Sequence, residues 1–163
     1  GASGATGLAA VHLAKIIGAK VIATGRNLQK LEQVKKQGAD HILVIEKDEN
    51  GHIKPFRNQV KEWTAGRGAD VVYDGVGGDL SVESLRAMRF GGRFLIVGWA
   101  STPFVRVDRP NQLPTNLILM KGLQVLGCPA VISAQKNPEI RKTDLCITSE
   151  SDSSSRNSNI CFH

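Results

Sequence analysis

Short apolar runs alternate with amphipathic stretches along most of this chain. The first amphipathic stretch follows Gly7, where Ala10, Leu13, Ala14 and Ile17 recur at i, i+3, i+4 and i+7 and mark one helical face. The apolar runs are bounded by Gly, Asn or Asp, as buried strands usually are. The pattern predicts further helices over 28–37, 55–64, 80–89 and 116–121, and strands over 20–24, 41–45, 70–74, 93–97 and 123–127.

This alternation predicts an α/β fold. Continuous apolar strands are typical of parallel sheets that are buried on both faces, and the helices between them would serve as the crossover connections. The fold class that we expect is therefore a doubly wound parallel sheet. A length of 163 residues suits one domain with a substantial core.

The chain opens on a glycine-rich loop, Gly1-Ala2-Ser3-Gly4-Ala5-Thr6-Gly7, that leads into the first helix. Counted from Ala2, the spacing is A-x-G-x-x-G, a close variant of the dinucleotide fingerprint. The free backbone N–H groups and the dipole of such a helix start attract anions. We expect the pyrophosphate of a dinucleotide at Ser3, Gly4, Ala5, Thr6 and Gly7. Such a loop can also begin a helix for steric reasons alone. By itself it does not show whether its glycines bind a dinucleotide or only start the helix.

The end of the second apolar run indicates which dinucleotide is bound. An NAD site places an acidic residue there for the ribose 2′-hydroxyl, whereas an NADP site places a cation there for the 2′-phosphate. This run ends Thr24-Gly25-Arg26, with Lys30 one helical turn further on and no acidic residue close by. The pattern favours NADPH, with its 2′-phosphate bound at Arg26 and Lys30. The alternative is that both cations are simply solvated at a helix start.

Composition and charge exclude several other classes. No apolar stretch approaches the roughly 18 residues of a membrane span, so we predict no membrane partner. The three cysteines, Cys128, Cys146 and Cys161, show neither zinc-site nor disulfide spacing, so no metal site is predicted and a reducing compartment is favoured. The net charge of +6 suits a phosphate-rich ligand, and also loose nucleic-acid binding.

Known catalytic motifs do not identify a reacting side chain. The loop lacks the Gly-Lys-Ser/Thr sequence of a P-loop, and no nucleophile elbow is present. The Tyr-x-x-x-Lys pair of short-chain dehydrogenases is missing, because Tyr73 is the one tyrosine and Gly77 stands four residues beyond it. The four histidines have no evident partners. No catalytic residue is assigned.

Several motifs in register resemble one family. They are the opening loop with Leu8-Ala9-Ala10, Gly38-Ala39-Asp40-His41, Asp70-Val71-Val72-Tyr73-Asp74-Gly75-Val76-Gly77-Gly78-Asp79, Gly91-Gly92-Arg93, and Asn116-Leu117-Ile118-Leu119-Met120-Lys121. Over about residues 1–142 the chain resembles the Rossmann-type cofactor domain of the quinone oxidoreductase (zeta-crystallin-like) branch of medium-chain dehydrogenases/reductases.

The resemblance implies a set of contacts and a reaction. Pyrophosphate contacts would fall on the backbone of Ala5 and Thr6, and 2′-phosphate contacts would fall at Gly25, Arg26 and Lys30. The nicotinamide ribose and ring would lie by Val76, Gly77, Gly98 and Trp99. The branch generally works without zinc and passes hydride from NADPH to a quinone or an activated alkene. It also implies a homodimer joined through the edge strand 123–127. We expect a cytoplasmic protein, with a mitochondrial one as the alternative.

The chain also departs from the family pattern. Ile45 stands where the family often has a tyrosine beside the adenosine half of the cofactor. We expect the domain, residues 1–143, to lack its first strand and the catalytic domain that precedes it, so that part of the substrate cleft would be missing. Residues 144–163 are polar and Ser-rich, and we expect a disordered tail. The alternative function is a non-catalytic module that binds RNA or a partner subunit.

Overall fold

A computed structural model describes residues 1–100, 111–137, 139 and 159–162. The helices are α1 (Ala5–Ile16), α2 (Leu28–Lys36), α3 (Arg57–Trp63), α4 (Asp79–Ala87), α5 (Thr115–Lys121) and α6 (Ala130–Lys136). The strands are β1 (Lys20–Gly25), β2 (His41–Val44), β3 (Ala69–Asp74), β4 (Met88–Ile96), β5 (Gln124–Gly127) and β6 (Asn159–Phe162). None of the helices among these residues is long and apolar enough to cross a membrane.

The strands form one parallel sheet in the order β2-β1-β6-β3-β4-β5. From the centre, the chain winds outward through β1 and β2 on one side and through β3, β4 and β5 on the other. The predicted doubly wound α/β fold is confirmed. In this type of sheet, ligands bind where the strand order reverses, outside the carboxyl ends of the central strands.

Each face of the sheet has its own apolar core, because successive strand side chains point to opposite faces. Val21, Ala23 and Ile160 pack with α1 and α2 on one face. Ile22 and Cys161 pack on the other face, with residues of α3 and α4. A sheet covered on both faces needs continuous apolar strands, which explains why the strands could be predicted from short apolar runs.

Helix boundaries follow local chemistry, and most fall close to the predicted ranges. The side chain of Asn27 accepts a hydrogen bond from the Lys30 N–H at 3.0 Å and begins α2 as predicted. α4 ends at Ala87 rather than 89 and leads directly into β4, which begins at Met88 rather than 93, and the helix α6 was not predicted. Lys121 Nζ donates to the carbonyls of Leu85, Arg86 and Met88 and so closes α4 from a distant part of the chain.

The central strand is the largest departure from the sequence analysis. The prediction of a disordered tail over 144–163 is wrong for Asn159–Phe162, which forms β6, and the rest of that segment lies outside the described residues. In the doubly wound order, the position between β1 and β3 belongs to the strand that precedes the glycine loop. Here β6 occupies it, running parallel to both neighbours. Ile160 and Cys161 are buried there, which stabilises the strand.

A buried carboxylate fixes the start of β6. Asp70 Oδ2 accepts hydrogen bonds from the backbone N–H of Asn159 at 2.7 Å and from its side-chain Nδ2 at 2.9 Å. The other carboxylate oxygen pairs with the guanidinium of Arg89. Burial alone would raise the pKa of Asp70, but the hydrogen bonds from Asn159 and the Arg89 pair outweigh it and lower the pKa below its usual value.

We predict that Asp70→Asn destabilises the fold, by about 1–3 kcal/mol in the free energy of unfolding at neutral pH, because the charge-assisted contacts to Asn159 and Arg89 are lost. A lowered folded-state pKa contributes stability above the unfolded pKa, about 3.9, that is lost as the pH falls through the folded value. The difference from the parent protein should therefore shrink below about pH 3.9. Urea unfolding from pH 7 down to pH 3 measures it.

Glu46→Gln is the control for this prediction. Its carboxylate pairs with Lys54 at 2.8 Å on the exposed surface, where such a pair contributes little. Equal unfolding free energies for Asp70→Asn and the parent protein at pH 7 would show that Asp70 does not hold β6.

Candidate functional site: a cleft at the carboxyl ends of the strands

A cavity of about 620 Å³ opens at the carboxyl end of the sheet. The residues that line it follow four of the strands. They are Gly1, Thr24, Gly25, Arg26, Ile45, Lys47, Ile53, Val76, Gly77, Gly78, Asp79, Leu80 and Ala100. Its volume lies within the range of small-molecule sites, and it stands where the strand order reverses.

The glycine loop is held against the end of β1. The N–H of Ala2 donates to the carbonyl of Thr24 at 3.2 Å, and Gly4 serves as the N-cap of α1 without a side-chain hydrogen bond. A Cβ added at Gly7 would lie 2.5 Å from the Gly1 carbonyl oxygen, so any larger residue would push α1 away from the loop. Glycine at position 7 therefore allows the start of α1 to pack tightly against the loop. The backbone N–H groups in the first turn of α1 are available to an anion.

Arg26 lines the cleft just beyond β1. The two neighbouring strands run in register, Gly25 opposite Val44, and the N–H of Ile45 donates to the Gly25 carbonyl at 2.7 Å. Arg26 is exposed and has no salt bridge among the described residues. Its guanidinium is available to an anionic ligand, and no acidic side chain at the end of β1 competes with that ligand for the guanidinium.

The loop after β3 is built on the buried carboxylate of Asp74. One of its oxygens accepts from the backbone N–H groups of Val76 at 2.8 Å and Gly77 at 3.0 Å, and the other accepts from the Ser81 hydroxyl. Gly77 has φ +79°, which favours glycine. The loop is thus drawn back over the strand end, with its backbone facing the cleft.

The loop after β4 lies against the loop after β3. The N–H of Val97 donates to the Asp74 carbonyl at 2.8 Å, and the N–H of Ala100 donates to the Gly75 carbonyl at 3.1 Å. A Cβ at Gly98 would lie 3.1 Å from the Gly75 oxygen, and one at Gly77 would lie 3.4 Å from Trp99 Cα. These contacts bring the two predicted nicotinamide loops together, as expected from their position at adjacent strand ends.

The cleft includes some of the predicted site residues and not others. Gly25, Arg26, Val76 and Gly77 line the cavity. The remaining predicted residues do not: Ser3, Gly4, Ala5, Thr6 and Gly7 lie at the start of α1, Lys30 lies within α2, and Gly98 and Trp99 stand just before Ala100.

Several lining residues were missed from the sequence. Thr24 and Gly78 are direct neighbours of predicted residues, and Asp79 and Leu80 follow Gly77 by two and three residues, so all four lie close to strand ends that the sequence had already indicated. Lys47 and Ile53 belong to the loop after β2, to which no function was assigned. Ile45 was noticed only as a departure from the family pattern, and it too contacts the cleft.

The cleft contains little acid–base chemistry. Among the described residues, no histidine or cysteine lines the cleft, and Asp79 is the acidic residue of the lining. Cys161 lies within the sheet, where burial raises the pKa of its thiol to about 12, so it is not a nucleophile at neutral pH. The arrangement can bind and orient an anionic ligand, but it supplies no evident reacting side chain.

The comparisons with known proteins identify the family. The family model described as zinc-binding dehydrogenase matches residues 5–141. This chain belongs to that family. Within the family, the Quinone oxidoreductase-like protein 2 homolog of Nematostella vectensis is 31% identical over 150 residues, covering 91% of this chain. The Bos taurus Quinone oxidoreductase-like protein 2 is 33% identical over 127 residues, covering 77% of this chain. The resemblance to quinone oxidoreductases is confirmed.

Solved structures agree with this family assignment. The Escherichia coli quinone oxidoreductase complexed with NADPH aligns with a TM-score of 0.69 at 26% identity, over 91% of this chain and 42% of that chain. A mycobacterial protein complexed with NADPH aligns with a TM-score of 0.72 at 26% identity, over 94% of this chain and 45% of that chain. The chain spans only 38% and 33% of the two curated relatives.

The family description refers to zinc, so we tested whether the described residues fit that metal. They contain no group of three or more His, Cys, Asp or Glu side chains that could hold an ion. Zinc needs three or four such ligands. The described part of this family member does not fit the metal, and no step is derived through it.

We predict that Asp74→Ala lowers the melting temperature and weakens nucleotide binding, because the backbone N–H groups of Val76 and Gly77 lose their acceptor. Loss of a buried charged acceptor costs about 1–3 kcal/mol. Thermal unfolding and calorimetric titration with NADPH measure the two effects. Asp79→Ala is the matched control, since Asp79 is exposed, lines the same cleft and supports no such hydrogen bonds. Equal melting temperatures for Asp74→Ala and the parent would contradict the structural role of Asp74.

Proposed function

We propose that this chain binds NADPH in the cleft and forms the cofactor-binding part of an NADPH-dependent reductase of quinones or enones. The observation that carries the proposal is Arg26, a cation at the end of β1 where an NAD site would have a carboxylate, and for which the described residues supply no salt bridge. The NADPH complexes of two structurally similar oxidoreductases support it.

Each part of the cleft would have a separate role toward the cofactor. The start of α1 would hold the pyrophosphate through the backbone N–H groups near Ala5 and Thr6. Arg26 would pair with the 2′-phosphate of the adenosine ribose. Val76 and Gly77, with Gly98 and Trp99 behind them, would position the nicotinamide ribose and ring. When bound, NADPH supplies the hydride.

The substrate would be an electrophilic acceptor of hydride, because such an acceptor needs no catalytic base or nucleophile and the described lining residues include neither histidine nor cysteine. A quinone or an activated alkene accepts hydride directly, so the protein needs mainly to hold the reactants together and to exclude water. The rest of the substrate cleft would come from parts of the longer proteins that this chain does not span. Asp74 serves this function by fixing the loop on which the reacting ring would rest.

We also propose a homodimer through the edge of the sheet. Among the described strands, β5 pairs only with β4 and leaves its other edge open. Leu126 of β5 is 43% exposed, and Leu119 and Met120 of α5, the helix that precedes it, are 81% and 73% exposed. An open apolar edge favours pairing with a second strand, and a two-fold copy of β5 would supply one.

We predict that NADPH binds more tightly than NADH and that Arg26→Glu removes this preference, weakening NADPH binding by about 10–100-fold with little loss for NADH. Calorimetric titration with each cofactor measures the two affinities. Arg67→Glu makes the same charge change at an exposed residue outside the cleft and should leave both affinities unchanged.

Equal affinities of the parent protein for NADPH and NADH would overturn the proposal. Salt-dependent RNA binding that NADPH does not displace would instead favour the non-catalytic alternative.

We predict that Val125→Pro converts the dimer to a monomer while the chain stays folded. The N–H of Cys128 donates to the Ile96 carbonyl of β4, so strand alternation points the N–H of Val125 toward the open edge. Proline there removes an edge donor without breaking the β4 ladder. Sedimentation at tens of micromolar measures the state. The control variant Leu126→Pro removes a donor to β4 and should unfold the β5 edge of the sheet. A monomeric parent protein in the same measurement would contradict the proposed dimer.

A further inference from the structure

A second, smaller cavity lies where α3 meets α4. Its volume is about 240 Å³, and its lining consists of Pro55, Arg57, Asn58, Glu83 and Arg86. Arg57 and Asn58 begin α3, while Glu83 and Arg86 stand three residues apart on α4. None of these five residues lines the cofactor cleft. The cavity is smaller than sites for drug-sized ligands, roughly 300–1,000 Å³, so it suits a compact group.

The buried carboxylate of Glu83 positions both arginines of this cavity. The side chain of Glu83 is only 6% exposed. Its Oε1 accepts hydrogen bonds from the backbone N–H of Phe56 at 3.1 Å and from that of Arg57 at 3.4 Å. Its Oε2 accepts from the guanidinium of Arg86 at 3.3 Å. One carboxylate thus joins the backbone of Arg57 to the side chain of Arg86, and both of its oxygens already have donors.

The surroundings of this cavity carry more positive charge than Glu83 neutralises. Arg57 is exposed and has no salt bridge among the described residues. The ammonium of Lys121 donates to the carbonyl of Arg86 at 2.6 Å, so a further cation lies at the end of α4. Burial and the nearby positive charges of Lys61 and Arg57 lower the pKa of Lys121. Cations held this close repel one another, and a bound anion would relieve the repulsion.

We propose that this cavity binds the phosphate group of a small phosphorylated metabolite, at an anion site separate from the cofactor cleft. Arg57 supplies a guanidinium without a described salt bridge, and Asn58 supplies an amide donor. Arg86 supplies the guanidinium N–H groups that Glu83 does not accept. Guanidinium forks match the oxygens of a phosphate, and such charge-assisted hydrogen bonds are stronger than neutral ones. The small volume favours a phosphate on a compact carrier over a second dinucleotide.

The test is titration of the full chain with inorganic phosphate and with glycerol 3-phosphate at constant ionic strength, followed by the NMR shifts of backbone amides. Both ligands should shift the signals of Arg57, Asn58 and Arg86. We expect Arg57→Gln to weaken this binding about tenfold, because a charge-assisted contact is lost, and Arg57→Lys to restore only part of it, because the fork is missing.

Two further variants serve as controls for this titration. Arg67→Gln removes an exposed arginine that lines neither cavity, and it should leave phosphate binding unchanged. Arg26→Glu blocks the anion site of the cofactor cleft, and it should also leave the shifts at Arg57 and Asn58 unchanged. The two cavities share no lining residue, so each can be impaired without the other.

Three results would overturn the inference. Phosphate binding that is lost in Arg26→Glu and kept in Arg57→Gln would place the anion in the cofactor cleft. Equal shifts with chloride, or no saturation by about 10 mM phosphate, would show a solvated cationic surface, because even a millimolar site is mostly filled at that concentration. Tighter binding of a phosphoserine peptide than of glycerol 3-phosphate would indicate a protein partner instead of a metabolite. The inference does not depend on NADPH binding, which the cofactor titrations test separately.

Discussion

The contact between Asn159 and the buried carboxylate of Asp70 joins the two halves of this sheet. Among the described strands, β1 and β3 do not pair with each other, and β6 alone pairs with both. The walls of the cleft come from both halves, Thr24 to Lys47 from one and Val76 to Leu80 from the other. The cleft therefore depends on a strand of four residues that a distant part of the chain supplies.

The two halves would contribute different chemistry to the cofactor. The half that contains β1 and β2 presents a cation, Arg26, that no described carboxylate neutralises. The half that contains β3 and β4 presents backbone, held in place by Asp74 and by the close approach of Gly98 to Gly75. The cation would fix the phosphate end of the cofactor, and the rigid backbone would position its nicotinamide end. Hydride transfer from a bound cofactor requires both.

Local patterns in the sequence were enough to predict the fold class and four of the residues that line the cleft, Gly25, Arg26, Val76 and Gly77. The glycine loop, the cap at Asn27 and the cation at Arg26 are each encoded within a few consecutive residues, so the sequence indicates them directly. Features that depend on distant contacts could not be predicted in this way. The β6 strand is stabilised by Asp70, Lys121 closes α4 from another element, and Lys47 reaches the cleft through its antiparallel pairing with Ile53. None of these contacts leaves a local signal.

The proposed function requires that one dinucleotide contacts both halves of the sheet at once. Amide hydrogen exchange of the full chain, with and without NADPH, measures this. We expect added protection in the glycine loop and in residues 46–54 on one side, and at Val76 and Gly77 on the other, with β6 protected between them. Protection confined to one half of the sheet, or none at all, would show that no dinucleotide bridges the two halves.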